Sequence, residues 1–209
     1  MKEFVDRVAV VTGGGSGIGR ATCLALAERG TRVAVVDRSE AAAHETADLV
    51  KTIGPAASVH TVDVSDVAQL EALPNEVLEA HGAVNILINN AGVTSAGSFE
   101  RESVEDLQWI VNINMWGVVH GCRVFLPHLH EADEAHIVNL SSMVGLVGLP
   151  HNVAYSLTKG AVRGFTEGLR AELIRTSIGV TTVFPGSINT NITQHARGAE
   201  RDRLARMGK

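Results

Sequence analysis

Short apolar runs alternate with stretches of helical spacing along almost the whole chain. Residues 7–11, 32–37, 58–63, 84–89, 135–140 and 178–184 are short and rich in valine and isoleucine, and are predicted as buried strands. Between the first two, Ile18, Ala21, Leu24, Ala25 and Ala27 recur at helical spacing over 17–29, and Gly30 stops the helix. Ser39 is a natural N-cap for a helix reaching about Ile53, ended by Gly54-Pro55. A third helix is expected from Asp66 to about Ala80, disturbed at Pro74. Two long helices follow, over 103–126 and 152–175. Strands alternating with helices predict parallel βαβ units with right-handed crossovers, in one α/β domain with helices on both faces of the sheet.

Composition narrows the class. At 209 residues the chain has the length of one domain, and 45% hydrophobic with 20% charged residues excludes wholesale disorder. Aromatic residues make up only 4%, with a single tyrosine, so the core must be aliphatic. The net charge of −5 gives no basic excess for nucleic acid or an anionic membrane. No apolar run approaches a membrane span, and residues 1–7 show no apolar leader. Cys23 and Cys122 form no CxxC pattern and suit free thiols in a reducing, cytoplasmic setting.

The first candidate chemistry is Thr12-Gly13-Gly14-Gly15-Ser16-Gly17-Ile18-Gly19, between the first strand and the first helix. Glycines let a backbone turn tightly and approach a pyrophosphate, and a helix N-terminus offers unpaired N–H groups to it. The second strand ends on Asp37, where an acid can accept from an adenosine ribose and repel a 2′-phosphate. That favours NAD over NADP, with Arg38 as the opposing residue.

The second is the lone tyrosine, Tyr155, with Lys159 four residues on and so on the same helix face. A nearby ammonium stabilises a phenolate and is expected to pull its pKa down. With the glycine loop, Asn89-Asn90-Ala91-Gly92 and Pro185-Gly186 in this order, the chain resembles a short-chain dehydrogenase/reductase of the single-domain form.

The resemblance implies a Rossmann-type doubly wound parallel sheet and assigns roles. Tyr155 is then the general acid/base, Lys159 its pKa-lowering and ribose-holding partner, Ser142 the residue orienting the substrate oxygen, with Ser141 as its rival, and Asn114 the holder of a relay water. Gly13, Gly15, Ser16, Gly17, Ile18, Gly19, Asp37, Arg38, Asp63, Val64, Asn90, Ala91, Gly92, Tyr155, Lys159, Pro185, Gly186, Ile188 and Thr190 are the implied cofactor contacts. Val144, Leu146, Leu149, His151 and Asn152 are expected along the substrate's approach. The implied reaction interconverts a secondary alcohol and a ketone or aldehyde with NAD(H). The alternatives are a non-catalytic nucleotide-binding module, or an NADPH-dependent 3-oxoacyl-carrier-protein reductase type.

Relatives continue past the Pro-Gly loop through a covering segment and a seventh strand. Here residues 1–190 are expected to form the nucleotide-binding and catalytic domain with six strands, and 191–209 the covering segment. His128, His130 and His136 lie near Glu131, Asp133 and Glu134, but His-x-His on a polar connection fixes no metal geometry, and no metal is expected. Gly160, Gly164 and Gly168 recur every four residues on the tyrosine helix, and each costs ~1 kcal/mol against alanine. A close helix partner would offset that. In the family the two long helices, 103–126 and 152–175, assemble a homodimer or homotetramer.

Overall fold

The computed structural model describes residues 3–188, 190–193, 196–198 and 200. Six strands form one parallel sheet in the order β3-β2-β1-β4-β5-β6. They are β1 (Val8–Thr12), β2 (Arg32–Asp37), β3 (Ala57–Thr61), β4 (Ile86–Asn89), β5 (Ala135–Leu140) and β6 (Ile178–Val183). The helices are α1 (Gly17–Ala27), α2 (Glu40–Ile53), α3 (Val67–His81), α4 (Val104–Val111), α5 (Gly117–His130) and α6 (Val153–Glu172).

Alternation of side chains along the strands divides the interior into two cores. Val8, Val10, Ala34, Val36 and Leu87 point to one face, where α3, α4, α5 and α6 cover them with Leu70, Leu73, Ile110, Phe125 and Val162. Ala9, Val11, Val33, Val35, Ile86 and Ile88 point to the other face, under Cys23 and Leu26 of α1 and Ala43, Ala47 and Val50 of α2. The aliphatic core expected from composition is present, with Phe125 the largest fully buried side chain. Both cysteines are buried free thiols, pushed up to about 12 by loss of solvent.

Capping follows the sequence closely. Ser39 accepts from the Ala42 N–H, Asp66 from Ala68 and Gln69, and Ser103 from Asp106. Helix α3 runs through Pro74 over nearly the span expected of it. Two expectations are corrected. The third strand closes at Thr61, so Val62 and Asp63 lie beyond it. The long helix expected over 103–126 is two helices joined by a π-helical turn, Asn112–Trp116, and its second half runs on to His130. That extra residue per turn rotates Asn114 inward. Among the described residues β6 is the last strand of the sheet, and no helix is long and apolar enough to cross a membrane.

Candidate active site

All six strands run parallel, so their carboxyl ends gather along one side, and the order reverses between β1 and β4. Open α/β sheets leave a crevice at that reversal. A cleft of about 460 Å³ lies there, and residues following each of the six strands line it.

The β1–α1 loop forms one wall. Gly13 has φ 64°, and a Cβ there would stand 2.8 Å from the Ala91 Cα. A Cβ on Gly19 would lie 2.0 Å from the Gly13 carbonyl oxygen. Loop, helix and the turn after β4 therefore touch backbone to backbone, which only glycine permits. Asn90 locks this contact, donating from Nδ2 to the carbonyls of Thr12 (2.9 Å) and Gly13 (3.0 Å). Thr12 Oγ1 accepts in return from the Asn90 and Ala91 N–H groups, each at 3.1 Å. Helix α1 starts at Gly17 after Ser16, whose side chain makes no cap bond, so the first N–H groups of α1 are not capped by it.

Asp37 stitches the loop to β2. Its two oxygens accept from the N–H groups of Gly15 and Ser39, each at 2.9 Å. Both remain able to accept further bonds from a ligand hydroxyl. Asp37 and Arg38 line the same end of the cleft, near Asp63 and Val64.

At the other end stand Ser142, Tyr155 and Lys159. Ser142 lies close enough to Tyr155 to favour its phenolate form. Lys159 is buried, donates from Nζ to the Leu140 carbonyl at 2.8 Å, and lies 5.8 Å from the Tyr155 ring centroid. Ser141 also lines the cleft, with its hydroxyl donating to the Lys159 carbonyl at 2.8 Å. Burial pushes the Tyr155 phenol up, partly opposed by Ser142, and brings Lys159 down to about 8. In the chain by itself the phenol is therefore pushed up by loss of solvent, opposed only by Ser142, and the lowering expected from the lysine is not seen.

Asn114 stands behind the cleft. Its Oδ1 accepts from the Val93 N–H at 2.8 Å, while Nδ2 donates to the Val93 carbonyl (2.8 Å) and Thr158 Oγ1 (3.2 Å). It clamps the turn after Gly92 onto α6. A Cβ on Gly92 would come within 3.3 Å of Asn114 Oδ1 and 3.5 Å of Lys159 Nζ, so that glycine brings the turn close to both.

The cleft lining includes Gly13, Ser16, Gly17, Ile18, Asp37, Arg38, Asp63, Val64, Asn90, Ala91, Gly92, Ser142, Tyr155, Lys159, Pro185, Gly186, Ile188 and Thr190, as expected from sequence. Gly15 and Gly19 support it from behind through the contacts above. Val144, Leu146, Leu149, His151 and Asn152 are not brought into the lining. Ser142 caps a single 3-10 turn, Met143–Gly145, by accepting from the Val144 N–H, and the chain then runs outward, leaving Leu149 and His151 exposed. His151 has φ 63° and pairs with Glu200 at 3.1 Å. Sequence reasoning gave no cleft role to Ser39, Ala42, Val62, Val93, Ile113, Leu140 and Ile192, which line the cleft. Val62 continues the apolar run of β3, a usable signal. Ile113 depends on the π-turn.

A family model described as short chain dehydrogenase matches residues 7–201. A Mycobacterium tuberculosis protein named as an oxidoreductase, SadH, is 38% identical over 96% of this chain and 73% of its own length. A short-chain dehydrogenase/reductase from Burkholderia phymatum, solved with NAD, is 38% identical with a TM-score of 0.90, over 93% of this chain and 70% of that one. An NAD+-bound xylitol dehydrogenase is 31% identical with a TM-score of 0.85, over 88% and 72%. Sequence, sheet order and site agree: the chain belongs to the short-chain dehydrogenase family and has an oxidoreductase's fold.

Proposed function

We propose that the protein is an NAD(H)-dependent oxidoreductase that interconverts a secondary alcohol with a ketone or aldehyde. The observation that carries this reading is one cleft holding Asp37 and the glycine loop at one end and Ser142, Tyr155 and Lys159 at the other. The residues present fit a dinucleotide. Gly17, at φ 52°, opens α1 at the cleft with N–H groups that the Ser16 side chain does not cap and a pyrophosphate can take, and Asp37 supplies acceptors for ribose hydroxyls. The NAD reported in two related structures supports the same choice. NAD supplies the two-electron hydride acceptor when bound.

The chain's own residues handle the proton and the positioning. Ser142 and Tyr155 line the same part of the cleft, and Ser142 is placed to orient a substrate oxygen beside the Tyr155 hydroxyl. With its pKa raised by burial, Tyr155 keeps its proton near neutral pH and is suited to donate it to a developing alkoxide. Oxidation needs the opposite transfer, so it is favoured by alkaline pH or by added positive charge in the cleft. Lys159, held by its bond to the Leu140 carbonyl, supplies a buried cation whose own proton is held more weakly than usual. Titrating the protein with NAD and NADP separately, then screening alcohols and ketones by NADH absorbance, tests the reading. Failure to bind either nucleotide would remove it.

We further infer that two copies associate through α4, α5 and α6. Leu157 and Val153 of α6 and Val104 of α4 are exposed. Among the described residues no atom outside the helix's own backbone lies within 4 Å of a Cβ built on Gly164 or Gly168, while one on Gly160 would stand 3.8 Å from the Gly145 carbonyl oxygen. Gly164→Leu should lower the sedimenting mass at low concentration; an unchanged mass would count against this interface.

A further inference from the structure

Beyond Ile188, Thr190 and Ile192, which line the cleft, Arg197 pairs with Ser95 as a short parallel bridge to the β4–α4 connection. The Arg197 N–H donates to the Thr94 carbonyl (3.2 Å), the Ala96 N–H to the Arg197 carbonyl (2.9 Å), and the Glu200 N–H to the Ala96 carbonyl (2.9 Å). The Arg197 guanidinium lies 4.3 Å above the centre of the Trp109 ring and 3.6 Å from Asp106, both on α4. Gly198 has φ 98°, and a Cβ there would lie 2.4 Å from the Ala96 carbonyl oxygen.

These contacts are long-range and of different kinds, which separates them from an ordinary solvated charge. An exposed ion pair alone holds little. A guanidinium stacked on an indole, an ion pair and three backbone bonds acting on one short segment hold more, because each is made with the others' ordering already in place. The segment they fix is joined to the cleft on both sides. Thr94 follows Val93, which lines the cleft and is gripped by Asn114. Thr190 lies against Gly17, with its Cγ2 3.2 Å from a Cβ built there.

We propose that Arg197 is a positioning residue: stacked on Trp109 and paired with Asp106, it pins the post-β6 segment to the β4–α4 connection and so holds Ile188, Thr190 and Ile192 as one wall of the cleft. The consequence for nucleotide binding rests on the function proposed above; the pinning itself does not. Arg197 touches no reacting atom, and its effect passes through the wall it holds.

The test uses the whole chain, with amide hydrogen exchange at Ala96 and over residues 186–193, and NADH titration by fluorescence. Arg197→Ala should speed exchange at both places at least threefold and weaken NADH binding about three- to tenfold. Arg197→Lys, which keeps the charge but loses the planar stack, should fall between. Gly198→Ala should reproduce the Arg197→Ala pattern through the backbone, and Trp109→Phe, which keeps a ring, should stay near the parent. Unchanged exchange at Ala96 in Arg197→Ala overturns the pin. Faster exchange at Ala96 with no change over 186–193, or at both with NADH affinity unchanged, overturns the positioning role. If the parent protein fails to bind NADH, the functional reading fails instead, and the exchange measurements still decide the pin.

Discussion

Replacing Lys159 by methionine should remove a charge that the folded chain holds at a cost. Lys159 is buried, and its pKa falls from the ordinary 10.5 to about 8 through loss of solvent. At ~1.36 kcal/mol per pKa unit, keeping it protonated in the folded state costs about 3 kcal/mol. The unfolded lysine binds its proton more tightly, so between about pH 8 and 10.5 the unfolded state carries more protons and stability rises with pH. Methionine has the stem without the charge, but it leaves the Leu140 carbonyl without its 2.8 Å donor, which costs about 1–3 kcal/mol. The two effects oppose each other near neutral pH, so the absolute difference between parent and variant is not diagnostic. Its pH dependence is. Urea unfolding of both proteins should show the variant's relative stability falling by about 2.5 kcal/mol from about pH 7 to pH 10, as the parent sheds its penalty. Other titrating groups cancel in the difference. A difference that stays flat over that range would show that Lys159 is not held as a desolvated cation, and the account of the site's electrostatics would fall.

Tyr155→Phe should lower turnover about 10²–10⁴-fold while leaving NADH affinity within a few-fold, as read by steady-state kinetics and fluorescence titration. Because Tyr155 is the only tyrosine, phenolate absorbance titrates one group: it should ionise above the ordinary value of 10 in the free protein, and at lower pH with NAD bound. Gly19→Ala should lose about 3 kcal/mol or more in urea unfolding, because its Cβ meets a backbone carbonyl that cannot move alone. Asn114→Ala should lose about 2–4 kcal/mol by leaving the buried Val93 N–H and carbonyl unpaired. Asp37→Ala should narrow the preference for NAD over NADP, measured as the ratio of the two dissociation constants.

The parts of the site set by local chemistry were legible in the sequence. A glycine run between a strand and a helix, an acid at the end of β2, and a tyrosine–lysine pair at i and i+4 each depend on spacing within one or two elements. The parts that failed depend on packing between distant elements. The π-turn at Asn112–Trp116 leaves the apolar spacing of a single helix almost intact, and becomes visible only when Asn114 is found bonded to Val93 and Thr158. The apolar run after Ser142 looked like a pocket lining, but it is a loop that leaves Leu146, Val147 and Leu149 exposed. Alternation shows which residues avoid water; it does not show which surface covers them.

The pKa directions of Tyr155 and Lys159 have the same physical source and opposite chemical meaning. Burial raises the phenol because its charged form is the anion, and lowers the amine because its charged form is the cation. Both shifts favour neutral phenol beside neutral amine over the phenolate–ammonium pair that alcohol oxidation would start from. Moving a proton from Tyr155 to Lys159 is therefore not made easier by the pocket alone, and Ser142, which favours the phenolate, only partly offsets the burial. What can reverse the balance is a positive charge placed in the cleft, and a cationic nicotinamide ring carries one while its reduced form does not. The tyrosine should then be the better proton acceptor with the oxidised cofactor and the better donor with the reduced one, so that the same residue serves each direction when that direction's cofactor is present. Titrating the single phenol in the NAD and NADH complexes separately tests this: the phenol should ionise at lower pH with NAD than with NADH, and equal values would mean that the cofactor's charge does not reach Tyr155.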